Sequence, residues 1–246
     1  MNETVFIGSQ DGSVYALDAD DGEKRWAVET GDPVGSSPTV ADNTVFVGSD
    51  SLYALDAEDG SVRWTFVVGV YSIYSSPTIA NGTVFVGSGD RTVYALDAAS
   101  GEVVWTFETD GGIASSPTVA AGTVFVGSGR YHETDDTRLY ALDASSGDEI
   151  WTFETGGGIT SSPTVAAGTV FVGSNDGNVY ALNADDGSNR WKVGLFGGIE
   201  SSPTVVDGTV FIGSYNNNVY ALDAGIDGSS EDSRIEHGTL GHHDET

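Results

Sequence analysis

Five copies of Ser-Ser-Pro-Thr, starting at Ser36, Ser75, Ser115, Ser161 and Ser201, repeat the hydroxyl that a hydrolase uses as nucleophile. A serine attacks only when a base takes its proton, and no histidine or lysine stands near any copy. The four histidines fall elsewhere: His132 in a long connection, and His237, His242 and His243 near the end. The serines are therefore expected to satisfy buried backbone groups rather than to react. Glycosidase or lyase chemistry would need a positioned acid and base, and these segments supply neither. Asp18-Ala-Asp20-Asp21-Gly22-Glu23 has the acids of a calcium loop but not at alternate positions, and no twelve-residue loop follows. There is no cysteine, hence no disulfide, thiolate metal site or cysteine nucleophile. A His242-His243-Asp244 cluster would hold a metal only adventitiously, so no catalytic and no metal residues are assigned.

The elements that position these groups come from a repeat. VYALDADDGEKRW at Val14 to Trp26 recurs as LYALDAEDGSVRW, VYALDAASGEVVW, LYALDASSGDEIW and VYALNADDGSNRW, and a sixth copy at Val219 lacks the tryptophan. Trp26, Trp64, Trp105, Trp151 and Trp191 are 38, 41, 46 and 40 residues apart, the period of a four-stranded propeller blade. The clearest copy reads as strand A (Ser115 to Ala120), B (Thr123 to Ser128), C (Leu139 to Ala144) and D (Ile150 to Thr155), inner to outer. In strand B, Val124 and Val126 face one side and Phe125 the other, so both faces are apolar, as in a sheet lying between two sheets. The sequence predicts an all-β, six-bladed β-propeller of antiparallel blades over residues 1–224, with a polar tail at 225–246.

Both ends are expected to be irregular. The chain opens at a strand B, so the first blade lacks strand A. Ser233 to Gly238 can be laid on Asn189 to Gly194 as a degraded strand D, with Ile235 in the tryptophan position. Three readings stay open: closure of the ring by the last residues, a solvated tail, or a piece of a longer parent with a signal sequence and further blades. The sequence shows no signal peptide and no apolar run that would span a bilayer.

Charge narrows the partners. Thirty-seven acidic against nine basic residues give −28, with the acids spread over every repeat. Such a surface repels nucleic acid and anionic lipid. It suits molar salt, where the Debye length falls to about 3 Å and self-repulsion is screened. The expectation is a halophile, of archaeal type.

Ala-x-Asp-x-x-x-Gly-x-x-x-Trp, as Ala16/Asp18/Gly22/Trp26, Ala54/Asp56/Gly60/Trp64, Ala95/Asp97/Gly101/Trp105 and Ala141/Asp143/Gly147/Trp151, resembles the tryptophan-docking motif of the PQQ-repeat, quinoprotein-like propellers. The fifth copy has Asn183 in place of the Asp. That family includes quinoprotein alcohol dehydrogenases, the BamB-like scaffold lipoproteins of outer-membrane assembly, and extracytoplasmic sensor modules fused to kinases. The resemblance implies docking roles for the five tryptophans and an extracytoplasmic or cell-surface place. A dehydrogenase of this family uses about eight blades, a calcium ion on channel-facing acids, an Asp base and often a vicinal disulfide over the quinone. Six repeats, no cysteine and no acid on strand A disfavour PQQ and calcium.

Departures from the repeat gather on one rim, formed by the B–C turns and D–A connections. Copy four adds six residues between Gly129 and Leu139, with Tyr131, His132, Glu133 and Asp135; copy six reads Tyr215-Asn216-Asn217-Asn218. The D–A connections add Tyr71 and Tyr74 after Trp64, and Phe196 after Trp191. Aromatic residues on loops held by a rigid scaffold suit recognition. The chain is accordingly expected to be a monomeric, non-catalytic binding or scaffold module for a protein or small ligand. A PQQ-dependent enzyme or fragment, a sensor domain separated from a kinase, and a sugar-processing propeller using Glu133, Asp135 and Glu200 are the alternatives.

Overall fold

A computed structural model describes residues 4–69, 71–129 and 136–229. Among them there is no helix, and the strands form six antiparallel sheets in chain order. The four interior sheets have four strands each, and the first and last have three. In blade 4 the strands are Thr118–Ala120, Thr123–Gly127, Arg138–Asp143 and Glu149–Glu154. Blade 1 holds strands B, C and D (Thr4–Gly8, Ser13–Asp18, Lys24–Glu29). Blade 6 holds A, B and C (Thr204–Val206, Thr209–Ser214, Asn218–Asp223). The residues aligned as a last strand D, Ser233 to Gly238, lie outside the described residues, as do His132, His237, His242 and His243.

Strand A is shorter than expected. Only Thr118 to Ala120 enter the ladder, opposite Phe125 to Thr123. Pro117 has no N–H to give, so side chains replace the missing rungs. Ser75 Oγ accepts from Gly87 N and donates to Gly87 O, both at 2.8 Å, and Ser36 does the same with Gly48. The second serine of each copy works between blades: Ser37 N donates to Ser76 Oγ, Ser76 N to Ser116 Oγ, Ser116 N to Ser162 Oγ and Ser162 N to Ser202 Oγ, at 2.9–3.1 Å. The repeated hydroxyls are thus spent on backbone.

Strand B is buried on both faces in the interior blades, with Val124, Phe125 and Val126 at most 1% exposed. Each core lies between neighbouring sheets: Phe85, Val93, Ala95 and Trp105 of blade 3 pack against Val124, Val126, Tyr140 and Leu142 of blade 4. The indole is the bridge. Trp26, Trp64, Trp105, Trp151 and Trp191 donate through Nε1 to Ala57 O, Ala98 O, Ala144 O, Ala184 O and Ala224 O of the following blade, at 2.9–3.2 Å. The motif glycine has two reasons to be glycine. Gly147 sits at φ 77°, and a Cβ there would lie 2.7 Å from the Trp105 ring of the preceding blade.

Candidate functional site

The two rims are built differently. On the first, the C–D turn rests on the A–B turn of its own blade, through bonds such as Ala144 N to Gly122 O and Ala184 N to Gly168 O. The motif Asp caps its turn: Asp143 Oδ1 accepts from Ser145 N and Ser146 N, and Asn183 accepts from Asp185 N in the same way. Arg25 and Arg63 ion-pair with Asp18 and Asp56 at 2.6 and 2.7 Å, and each guanidinium holds its carboxyl below the usual range. The alanine-to-turn bond recurs in blades 2 to 6, whereas among the described residues this Arg–Asp pair belongs to blades 1 and 2.

On the second rim each D–A connection buries apolar side chains in the core. Ile73, Ile113, Ile159 and Ile199 are buried over Gly48, Gly87, Gly127 and Gly173, where a Cβ would come within 2.5 Å of them. Beneath it lies a layer that sequence reading passes over. Tyr15, Tyr94, Tyr140 and Tyr180 donate their hydroxyls to Asp11, Asp90, Asp136 and Asp176, four residues earlier, at 2.6–3.0 Å. In the shortened second copy Tyr53 reaches Asp50, three residues back. The signal was available as an Asp four residues before Tyr-Ala-Leu in four of its six copies. Burial, with the Asp as hydrogen-bond acceptor, pushes the Tyr53 and Tyr94 phenols up to about 12. Burial works against the Asp176 carboxylate, yet its bonds from Tyr180 and Asn178 hold it below the usual range.

Above this layer stand the aromatic departures. Tyr71 and Tyr74 flank the buried Ile73 and are exposed. Tyr74 lies over Gly35, where a Cβ would meet its ring at 3.3 Å. Phe196 lies between the buried anchors Leu195 and Ile199, is 98% exposed, and has φ 59°. A bulky side chain in the left-handed region carries strain of about 1–3 kcal/mol, which such a loop holds only because its neighbours are fixed. Tyr215 is 66% exposed, packs over Gly198 and donates to the Glu200 carboxylate. Asn216 turns inward instead: it occupies the repeat's Asp position and donates to Tyr220 Oη and Leu195 O. Tyr131, His132, Glu133 and Asp135 lie outside the described residues. The buried Asp136 that follows them belongs to the tyrosine layer.

Chemically this rim offers flat apolar surface with carboxylates beside it. Among the described residues no group of three or more His, Asp or Glu side chains is placed to hold a metal. A cavity of about 310 Å³ opens on the first rim between blades 2 and 3, lined by Phe46, Ile79, Arg63, Asp42 and Asp97.

Residues 1–73, 68–158 and 135–229 each match the family model described as outer membrane protein assembly factor BamB. No curated protein matches the chain in sequence. The fold is similar to that of BamB from Moraxella catarrhalis, with a TM-score of 0.78 and 22% identity over 93% of this chain and 72% of that one. It is also similar to quinohemoprotein alcohol dehydrogenase ADHIIG from Pseudomonas putida HK5 (TM-score 0.74, 17% identity, 90% of this chain and 50% of that). The corresponding enzyme of Comamonas testosteroni gives 0.69 and 16%, over 91% and 45%. At these identities the likeness is one of fold, and the chain spans about half the length of the two dehydrogenases. Since the family matches together run through all six blades, the chain belongs to the PQQ-repeat propeller family described as outer membrane protein assembly factor BamB.

Proposed function

We propose that this chain is a non-catalytic binding module that recognises another protein through the rim of B–C turns and D–A connections. The observation that carries this reading is Phe196, an almost fully exposed aromatic ring kept in a strained backbone between two buried anchors. Tyr71, Tyr74 and Tyr215 extend the same character across that rim, and the insertion with Tyr131 belongs to it by sequence. The five tryptophans serve as docking staples between blades and stay out of recognition. Aromatic anchors of this kind dominate protein–protein binding energy.

The strand A serines and threonines use their hydroxyls within the fold, and no acid stands on strand A. That supports a reading without PQQ or calcium. Titration with both, followed by tryptophan fluorescence, is expected to show no saturation; micromolar binding with dye-linked alcohol oxidation would overturn it.

The net charge of −28 supports a halophilic, archaeal-type setting. The melting midpoint is expected to rise between about 0.1 M and 3 M KCl as the Debye length shrinks from about 10 Å to below about 3 Å. A flat or falling midpoint would contradict it. The recognition itself is tested by recovering partners from lysate in molar KCl with the native chain and with Tyr71→Ser/Tyr74→Ser/Phe196→Ser. The same partner should be lost from the triple variant while its fold persists.

A further inference from the structure

Seven lysines and arginines lie among the described residues, and six of them meet a partner within the fold. Arg25, Arg63 and Arg138 pair with Asp18, Asp56 and Asp110, Arg190 donates to Gly168 O, and Lys24 and Lys192 stand over the rings of Tyr15 and Tyr180. Arg91 is the exception: it is exposed, with its guanidinium unpaired among the described residues. Its backbone is equally singular. The B–C turns of blades 1, 3, 5 and 6 close alike, with Gly12, Arg91, Gly177 and Asn217 donating to the serine carbonyl three residues back at 3.0–3.2 Å. All four are left-handed, at φ 84°, 73°, 81° and 65°. Glycine enters that region freely and asparagine readily, but an arginine there is strained. Thr109 holds it in place, its N–H and hydroxyl both donating to Arg91 O, at 2.8 and 3.0 Å. Asp90, next to it in the chain, does not neutralise it. One carboxylate oxygen accepts from Thr92 N and the other from Tyr94 Oη. Glu108, opposite Thr92 in the ladder, is exposed and forms no ion pair with Arg91.

The chain beside Arg91 lacks the acids found elsewhere. Residues 60–89, between Asp59 and Asp90, contain none, the longest such run in a chain with 37 acids. Strand D of blade 2 ends on Val67, 66% exposed, where blades 1, 3 and 4 end on Glu29, Glu108 and Glu154. Gly89 N donates to Ser72 O at 3.3 Å, which sets the connection carrying Tyr71 and Tyr74 against the turn of Arg91. Tyr71, 53% exposed, stands over Gly89, where a Cβ would come within 3.7 Å of it.

We infer that the partner protein docks on this sector, over Val67, Tyr71, Tyr74 and Arg91, and presents there an Asp or Glu carboxylate set beside an apolar side chain. The inference rests on the reading of this rim as the recognition face, and adds the chemistry of what it meets. Elsewhere the acid-covered ring repels a carboxylate. Here acids are withdrawn, and a guanidinium offers two parallel N–H bonds of the right spacing. In molar salt long-range attraction is screened, so the fit of that fork and the apolar cover from Tyr71 decide the contact, rather than net charge.

The test uses the full chain in about 3 M KCl, where non-specific charge effects are screened. The probe is a displayed library of short random peptides, fused at their C-terminal end so that every carboxylate is an Asp or Glu side chain. Selection on the native chain should enrich peptides with an acid beside a large apolar residue. Their affinity should fall roughly tenfold or more when that acid is replaced by its amide, and equally on Arg91→Gln. Arg91→Lys, which keeps the charge and loses the fork, should weaken them several-fold. Arg91→Gly should abolish the preference while melting no lower than the native chain, since glycine relaxes the turn. A lower melt for Arg91→Gly would make the arginine part of the fold and overturn the inference. So would a selection that enriches nothing, one that enriches basic peptides, or peptides indifferent to Arg91→Gln. If indifferent peptides are still lost from Tyr71→Ser/Tyr74→Ser/Phe196→Ser, the recognition rim stands and only its carboxylate anchor falls. Indifference to both variants removes the rim as well. Binding of a single-stranded oligonucleotide that Arg91→Gln abolishes would assign the guanidinium to phosphate instead, and would overturn the inference too.

Discussion

The rim of A–B and C–D turns repeats almost without change, whereas the rim of B–C turns and D–A connections repeats only beneath its surface. The first carries the staples: indole and alanine carbonyl recur at all five described junctions, and the glycine against the ring at four of them, from Trp26 over Gly60 to Trp151 over Gly187. The second keeps a constant layer of buried isoleucines and Tyr–Asp pairs, and on top of it sets Tyr71, Tyr74, Phe196 and Tyr215, which no other blade shares. Positions that recur hold blades together, and positions that do not are free to meet something else. Sequence period alone separates the two only when the structure shows which residues touch.

The sharpest test of the stapled rim is Trp105→Ala. It removes a buried indole with its bond to Ala144 O and should cost about 3–5 kcal/mol by denaturant unfolding. Gly147→Ala attacks the same staple from the opposite blade, with a Cβ at 2.7 Å from the ring and a φ that disfavours side chains. It should cost about 1–3 kcal/mol, and in combination with Trp105→Ala the two costs should not add. If Gly147→Ala is neutral, the indole is not seated as described.

The constant layer of the second rim is tested by alkali. Tyr53, Tyr94 and Tyr140 have phenols raised to about 12 by burial and their Asp partners, against 10 in the unfolded chain. A raised folded value means the contribution is intact below pH 10 and is lost as pH climbs toward 12. Melts at several pH values between 9 and 12 should show the midpoint falling in that window. Asp90→Asn should make the fall shallower. A level midpoint would mean the tyrosines ionise without strain.

The smallest expected change has the opposite sign. Phe196→Gly relieves the left-handed backbone and should leave the midpoint unchanged or raise it by about 2 °C, while weakening partner capture. A fall of several degrees would make Phe196 part of the fold.

What the sequence disclosed follows from contact range. Strand order, apolar alternation in Thr123 to Gly127 and the turn role of Asp143 are local, and all are visible within a few residues. That the serines serve backbone was legible from the lack of any base near them. Contacts across a full period were hidden: the Trp105 ring on Gly147, and Ser116 N on Ser162 Oγ. Asn216 illustrates the limit. By type it reads as a rim residue, yet it stands in for the buried-layer Asp and bonds inward to Tyr220. Tyr131, His132, Glu133 and Asp135, in the six-residue growth between Gly129 and Leu139, lie outside the described residues.

The central claim is that the irregular rim recognises and the repeated rim supports. It is tested most directly by measuring capture of one partner in molar KCl by two variants side by side. Tyr71→Ser/Tyr74→Ser/Phe196→Ser should lose roughly tenfold or more in affinity with an unchanged melting midpoint. Asp20→Lys/Asp185→Lys, on the repeated rim, should stay within about twofold and change chiefly the salt dependence of the melt. The account is contradicted if the lysine variant loses the partner and the serine variant keeps it, or if the serine variant unfolds.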